Sequence, residues 1–128
     1  MEIAEVDEGA AQLVVEVYVR DLDRSLAFYR AFGFVIVRRT ADFAVLRWDR
    51  CLLFLDERPD IPDAPDRERV NLRILVPDVD QLWQQAHALG VPISTAVGDR
   101  DYGLRDFTVR DPDGFGLRFA TQVARRRT

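Results

Sequence analysis

The chain contains no lysine, and all 18 of its basic residues are arginine. That excludes a lysine Schiff base and a lysine nucleophile. There is one cysteine, Cys51, so no disulfide can form within the chain. Cys51 lies in an apolar run, where a buried, inert thiol is expected. The single histidine, His87, falls inside a helical stretch and reads as a surface or core-edge residue rather than a ligand or an acid–base group. No run of twenty apolar residues and no basic-then-apolar leader is present, so a cytoplasmic protein with no membrane partner is expected. The net charge of −4 argues against a general nucleic-acid binder.

What is there fits a single domain. A chain of 128 residues buries roughly two thirds of its unfolded surface and needs no covalent staple. Its dominant pattern is an internal repeat. Val19-Arg20-Asp21-Leu22-Asp23 leads through a helical stretch to Phe32-Gly33-Phe34, and fifty-seven residues later Val76-Pro77-Asp78-Val79-Asp80 leads to Leu89-Gly90-Val91. Asp42-Phe43-Ala44-Val45 recurs sixty-four residues on as Asp106-Phe107-Thr108-Val109, so about seven residues are inserted in the second copy ahead of that strand. A repeat of this length is one supersecondary unit used twice.

Each unit reads as β-α-β-β-β. Leu13 to Val19 alternates as a strand with two unlike faces. Asp21 or Asp23 can cap the following helix, whose Leu22, Leu26 and Tyr29 form one apolar stripe, and Gly33 suits its end. Strands are expected near Phe34 to Arg39, Phe43 to Trp48 and Cys51 to Asp56, with Asp49-Arg50 as a hairpin turn. Residues 57–69, rich in proline and charge, read as a linker between module one (about 11–57) and module two (about 70–122). Module two repeats the order, with strands from Asn71 to Val76, Ile93 to Ala96, Arg105 to Arg110 and Gly116 to Ala120, and a helix from about Asp80 to Leu89. Asp111-Pro112-Asp113-Gly114 is a turn before the last strand. Residues 1–10 read as a frayed lead-in, and 123–128, with Arg125-Arg126-Arg127, as a solvated tail. The fold class is α+β: two tandem βαβββ modules forming a cupped mixed sheet, helices on the outer side.

Val-Arg-Asp-Leu-Asp-Arg-Ser-Leu-Ala-Phe-Tyr (19 to 29) and Tyr-Gly-Leu-Arg-Asp-Phe-Thr-Val-Arg-Asp-Pro-Asp-Gly (102 to 114) resemble the vicinal oxygen chelate superfamily, which includes glyoxalase I, extradiol dioxygenases and the fosfomycin- and bleomycin-resistance proteins. The resemblance spans about Leu13 to Gln122. It implies paired modules forming a cup, often completed by dimerisation, and a metal held by four cup-facing strand positions that usually carry His or Glu. Counted from Asp21, Asp78 and Asp113-Gly114, those positions are Val14, Asn71, Phe54 and Arg118. Val14 and Phe54 offer no donor atom, Asn71 only an amide oxygen, and Arg118 a fixed positive charge. The resemblance is therefore strongest in character to the bleomycin-resistance branch, whose members bind a drug without metal or turnover.

Strand alternation supplies an independent list. With Val17, Val19, Leu53, Leu55, Leu72, Ile74, Leu117 and Phe119 under the helices, the cup is lined by Val14, Glu16, Tyr18, Leu52, Phe54, Asp56, Asn71, Arg73, Leu75, Gly116, Arg118 and Ala120. An apolar wall with a few polar groups is the usual makeup of a small-molecule site. Glu16, Arg73 and Arg118 either form a neutralising cluster in place of a metal or hold a ligand, with Tyr18 and Phe54 as stacking surface. Tyr102 and Arg105 are further candidates, from a region that the resemblance implies rims the pocket. Trp83 reads as helix packing.

Three functions follow as alternatives. One is a metal-independent, cofactor-free small-molecule binding protein, including sequestration of a planar antibiotic; it is expected to be a homodimer. The second is an enzyme, either a metal-free lyase or isomerase with Glu16 as general base and Arg118 as electrostatic stabiliser, a base role that neighbouring arginines disfavour, or a metal enzyme with displaced ligands. The third is an interaction module whose cup is packed shut.

Overall fold

The computed structural model describes residues 13–66 and 68–123. The sequence expectations for residues 1–10 and for the arginine tail lie outside these. The chain divides into two compact units between Pro62 and Asp63, and each is the expected βαβββ module.

In the first, β1 (Val15–Val19) is followed by α1 (Leu22–Phe32), β2 (Val35–Arg39), β3 (Phe43–Trp48) and β4 (Cys51–Glu57). The sheet order is β1-β4-β3-β2, with β1 parallel to β4 and the other pairs antiparallel. Asp21 is the helix N-cap, accepting from the Arg24 backbone N–H at 3.1 Å. Gly33 ends the helix at φ 117°, left-handed backbone that a side chain would strain. The stripe expected from the sequence is the buried one: Leu22, Leu26 and Tyr29 lie under α1 with Val17, Val19, Leu53 and Leu55.

The second module repeats this with β5 (Asn71–Leu75), α2 (Val79–Leu89), β6 (Ile93–Asp99), β7 (Leu104–Arg110) and β8 (Gly116–Gln122), in the order β5-β8-β7-β6. Asp78 caps α2 by accepting from the Asp80 and Gln81 N–H groups. Trp83 packs edge-on against Phe107 at 5.2 Å, so its packing role is as expected, and His87 is exposed beside it at 4.4 Å. The inserted residues lengthen β6 to Asp99, beyond the expected end at Ala96. The insertion also starts β7 early, at Leu104, and β6 pairs with it through two register shifts.

One expectation is corrected. Cys51 is exposed. It has the same parity as the buried Leu53 and Leu55, but it is the first residue of β4, beside the Asp49-Arg50 turn, where the helix-covered face has run out. Trp48 resolves inward, against Phe34 at 5.1 Å.

The turn from Asp111 to Gly114 is held by Asp111, whose Oδ1 accepts from the N–H groups of Asp113 and Phe115 at 2.9 and 2.8 Å. Gly114 has φ 88°, and a Cβ there would stand 2.2 Å from the Ala64 Cβ. Gly114→Ala is therefore expected to cost about 1–3 kcal/mol, read as a lower urea midpoint at unchanged m-value.

Candidate functional site

The paired strands β5, β8 and β7 set which side chains share a face. Arg73 is in register with Arg118, and Arg118 with Thr108; Leu75 is in register with Ala120, and Ala120 with Asp106. Register partners project from the same side of a sheet, so Arg73, Arg118, Thr108, Leu75 and Asp106 belong to the face opposite α2. Asn71 lies on the same face, opposite Gly116.

At one end of that face Asp106 is fully buried and uses both carboxylate oxygens. Arg100 donates through Nε to Oδ1 at 2.8 Å, and the Tyr102 hydroxyl donates to Oδ2 at 2.8 Å. Burial alone would push this carboxyl up. The hydrogen bonds from Arg100 and Tyr102 and the charges of Arg118 and Arg100 outweigh it, and hold Asp106 below its ordinary value of 3.8. Tyr102 shifts the other way, upward from 10.0, through burial and through the hydrogen bond it gives Asp106. It is accordingly a neutral donor at physiological pH.

Tyr102 in turn lies under the Arg73 guanidinium, 5.6 Å from carbon to ring centroid, within cation–π range. Arg118 donates through Nε to Thr108 Oγ1 at 2.6 Å, which fixes the plane of its guanidinium. Beside them opens a cleft of about 630 Å³ lined by Arg73, Leu75, Tyr102, Gly103, Leu104, Gln122 and Val123. The volume is that of a small-molecule site. Leu75, 59% exposed, offers it an apolar floor.

The structure does not bring Arg105 to this face. Arg105 is in register with Thr121, one residue out of phase, and its guanidinium pairs with Asp80 of α2 at 2.9 Å and Asp99 at 3.1 Å. The reason is parity: Asp106 takes the face of the cleft and its neighbours take the other. Sequence reasoning also missed Asp106, Arg100 and Thr108.

Glu16, Tyr18 and Phe54 occupy the corresponding face of the first sheet, Glu16 opposite Phe54 and Tyr18 opposite Asp56. Tyr18 is half exposed beneath the Arg58 guanidinium at 4.6 Å, and Arg58 is anchored to Asp56 at 2.9 Å. Phe54 packs edge-on against Phe43 at 5.3 Å. Each module thus carries a tyrosine under an arginine on this face.

With the geometry in place, relatives can be compared. The sequence model of the Glyoxalase/Bleomycin resistance protein/Dioxygenase superfamily matches residues 11–119. The chain belongs to that superfamily. A bleomycin resistance protein of Geobacillus stearothermophilus is 30% identical over 121 residues, covering 82% of this chain and 92% of that protein. Among solved structures, a glyoxalase/dioxygenase from Nostoc punctiforme superposes with a TM-score of 0.75 at 16% identity, over 94% of this chain and 98% of that one. The bleomycin resistance determinant encoded on the transposon Tn5 gives 0.69 at 22% identity, over 88% and 98%. These two establish the fold.

Superfamily membership raises the question of a metal, and the donor set answers it poorly. Val14, Phe54, Asn71 and Arg118 supply no carboxylate, imidazole or thiolate. Among the described residues no group of three or more His, Cys, Asp or Glu is placed to hold an ion. The superfamily's usual metal does not fit these side chains. Among the described residues, too, no helix is long and apolar enough to cross a membrane.

Proposed function

We propose that this superfamily member is a metal-independent small-molecule binding protein that sequesters an antibiotic-like ligand without turning it over. The observation that carries the reading is the cleft beside Arg73 and Tyr102, on the face where Arg118 stands at a position its metal-binding relatives use for a ligand. Arg73, Arg118, Tyr102 and Asn71 are the contacts proposed in the second module; Glu16, Tyr18 and Phe54 are the candidate surface of the first module, taken by itself. The bleomycin resistance protein at 30% identity supports the drug-binding class.

The chemistry of the face favours binding over catalysis. Asp106, its buried carboxylate, accepts from Arg100 and Tyr102 and is held ionised, which suits a structural anchor and makes it a weak base. Arginine is a fixed donor that does not exchange protons near neutral pH. A homodimer is part of the proposal, and sedimentation equilibrium reads it directly.

The test is thermal unfolding in the presence of bleomycin and a panel of other planar natural products. A binder present at a hundred times its Kd stabilises the fold by about 2.7 kcal/mol, a rise in Tm of several degrees. No shift with any compound, together with turnover of a superfamily substrate, would replace this reading with an enzymatic one.

A further inference from the structure

Arg73 and Arg118 are placed where a stable sheet by itself has no use for them. They are direct register partners on neighbouring parallel strands, about 4.8 Å apart along the hydrogen-bonding direction, and like charges so placed destabilise a sheet. Other arginines of the same module are neutralised by carboxylates: Arg100 by Asp106, Arg105 by Asp80 and Asp99, Arg110 by Glu68. Among the described residues of the module, Arg73 and Arg118 form no such pair. Asp106, whose charge Arg118 feels, accepts its hydrogen bonds from Arg100 and Tyr102 instead.

The pair is also oriented. One of the five N–H donors of Arg118 is held by Thr108, which leaves the outer edge of its guanidinium available. Arg73 is steadied over the Tyr102 ring and lines the cleft. The remaining walls include Leu75, Leu104 and Val123, an apolar surface next to a doubled positive charge. On a chain of net charge −4, this is a local and specific feature.

We infer that the ligand class is a planar aromatic anion, an aryl carboxylate whose charged group is held by Arg73 and Arg118 and whose ring lies against Leu75, Leu104 and Val123. This rests on the binding reading above and narrows it. A guanidinium fork matches a carboxylate in two parallel hydrogen bonds, and the anion removes the repulsion between the two arginines. Binding therefore stabilises the module as well as the complex.

The experiment is calorimetric titration of the intact protein with 2-naphthoate, 2-naphthamide and 2-naphthylmethylammonium, which share a ring and differ in charge. 2-Naphthoate is expected to bind with a Kd of about millimolar or tighter, the amide about tenfold or more weakly, and the ammonium compound not detectably. Raising NaCl from about 0.05 to about 0.5 M is expected to weaken only the naphthoate. Arg73→Met and Arg118→Met should each lose about tenfold for naphthoate, with Arg105→Met, on the opposite face, unchanged. Equal affinity for acid and amide in the unmodified protein would overturn the inference, whether or not the variants fold. If no naphthyl compound binds while bleomycin or another of the panel does, the anion assignment fails and the binding function stands. If nothing binds at all, both fail.

Discussion

Phe107→Ala is expected to lower the unfolding free energy by about 3–5 kcal/mol, a large part of the about 5–15 kcal/mol available to a domain of this size. Phe107 is fully buried on the face of β7 opposite the site, in register with Phe119 at 5.6 Å, and it receives the edge of Trp83 from α2 at 5.2 Å. Truncation removes the ring on which the helix rests and two aromatic pairs, each worth about 0.5–1.5 kcal/mol beyond its area. Phe107→Leu keeps most of the volume and should lose far less. Urea unfolding with unchanged m-value is the measurement. A Phe107→Ala midpoint close to the parent's would mean that α2 is anchored elsewhere.

Asp106→Ala is expected to cost about 2–4 kcal/mol, because it strands the Arg100 guanidinium and the Tyr102 hydroxyl together. Arg100 keeps the Ala96 carbonyl at 2.7 Å, and its side chain is 28% exposed, which keeps the loss below that of a wholly buried pair. The cost depends on pH with a defined sign. The folded-state pKa of Asp106 lies below its ordinary 3.8, so its contribution is present in full well above that value and disappears as pH falls through the lower, folded one. The gap in stability between parent and variant should therefore be flat from about pH 5 to 8 and close in more acidic solution. The variant also frees Tyr102 from beneath Arg73, so naphthoate affinity should fall with stability. A pH-independent gap would show that folding does not shift the pKa of Asp106, and a gap that grows in acid would show the carboxyl to be held neutral.

The repeat made the fold legible. Aligning Asp21 with Asp78 and Gly33 with Gly90 located both helices, and in the structure these four residues are the caps. Alternation along β5 and β8 likewise put Arg73 and Arg118 on one face, where the register places them. The alternation was carried only along β1, β4, β5 and β8, which leaves the interior strand β7 without a face. Carrying the same alternation through Asp106, Phe107 and Thr108 would have drawn Asp106 and Thr108 into the site and sent Arg105 to the helix side. Arg100 was out of reach, because it follows a β6 whose register shifts twice, and a bulge erases the parity on which such reasoning depends. Cys51 was misplaced for a related reason: periodicity identifies a face but not how far along a strand the helix covers it.

The proposal is that a member of a superfamily known for holding metals here holds its ligand with arginine. The most direct test is calorimetric titration of the same compounds, bleomycin, its planar companions and 2-naphthoate, into protein as purified and after exhaustive EDTA treatment. The account predicts at least one binder, with the same Kd and stoichiometry in both preparations. Binding lost with EDTA and restored by zinc, manganese, nickel or iron would contradict it.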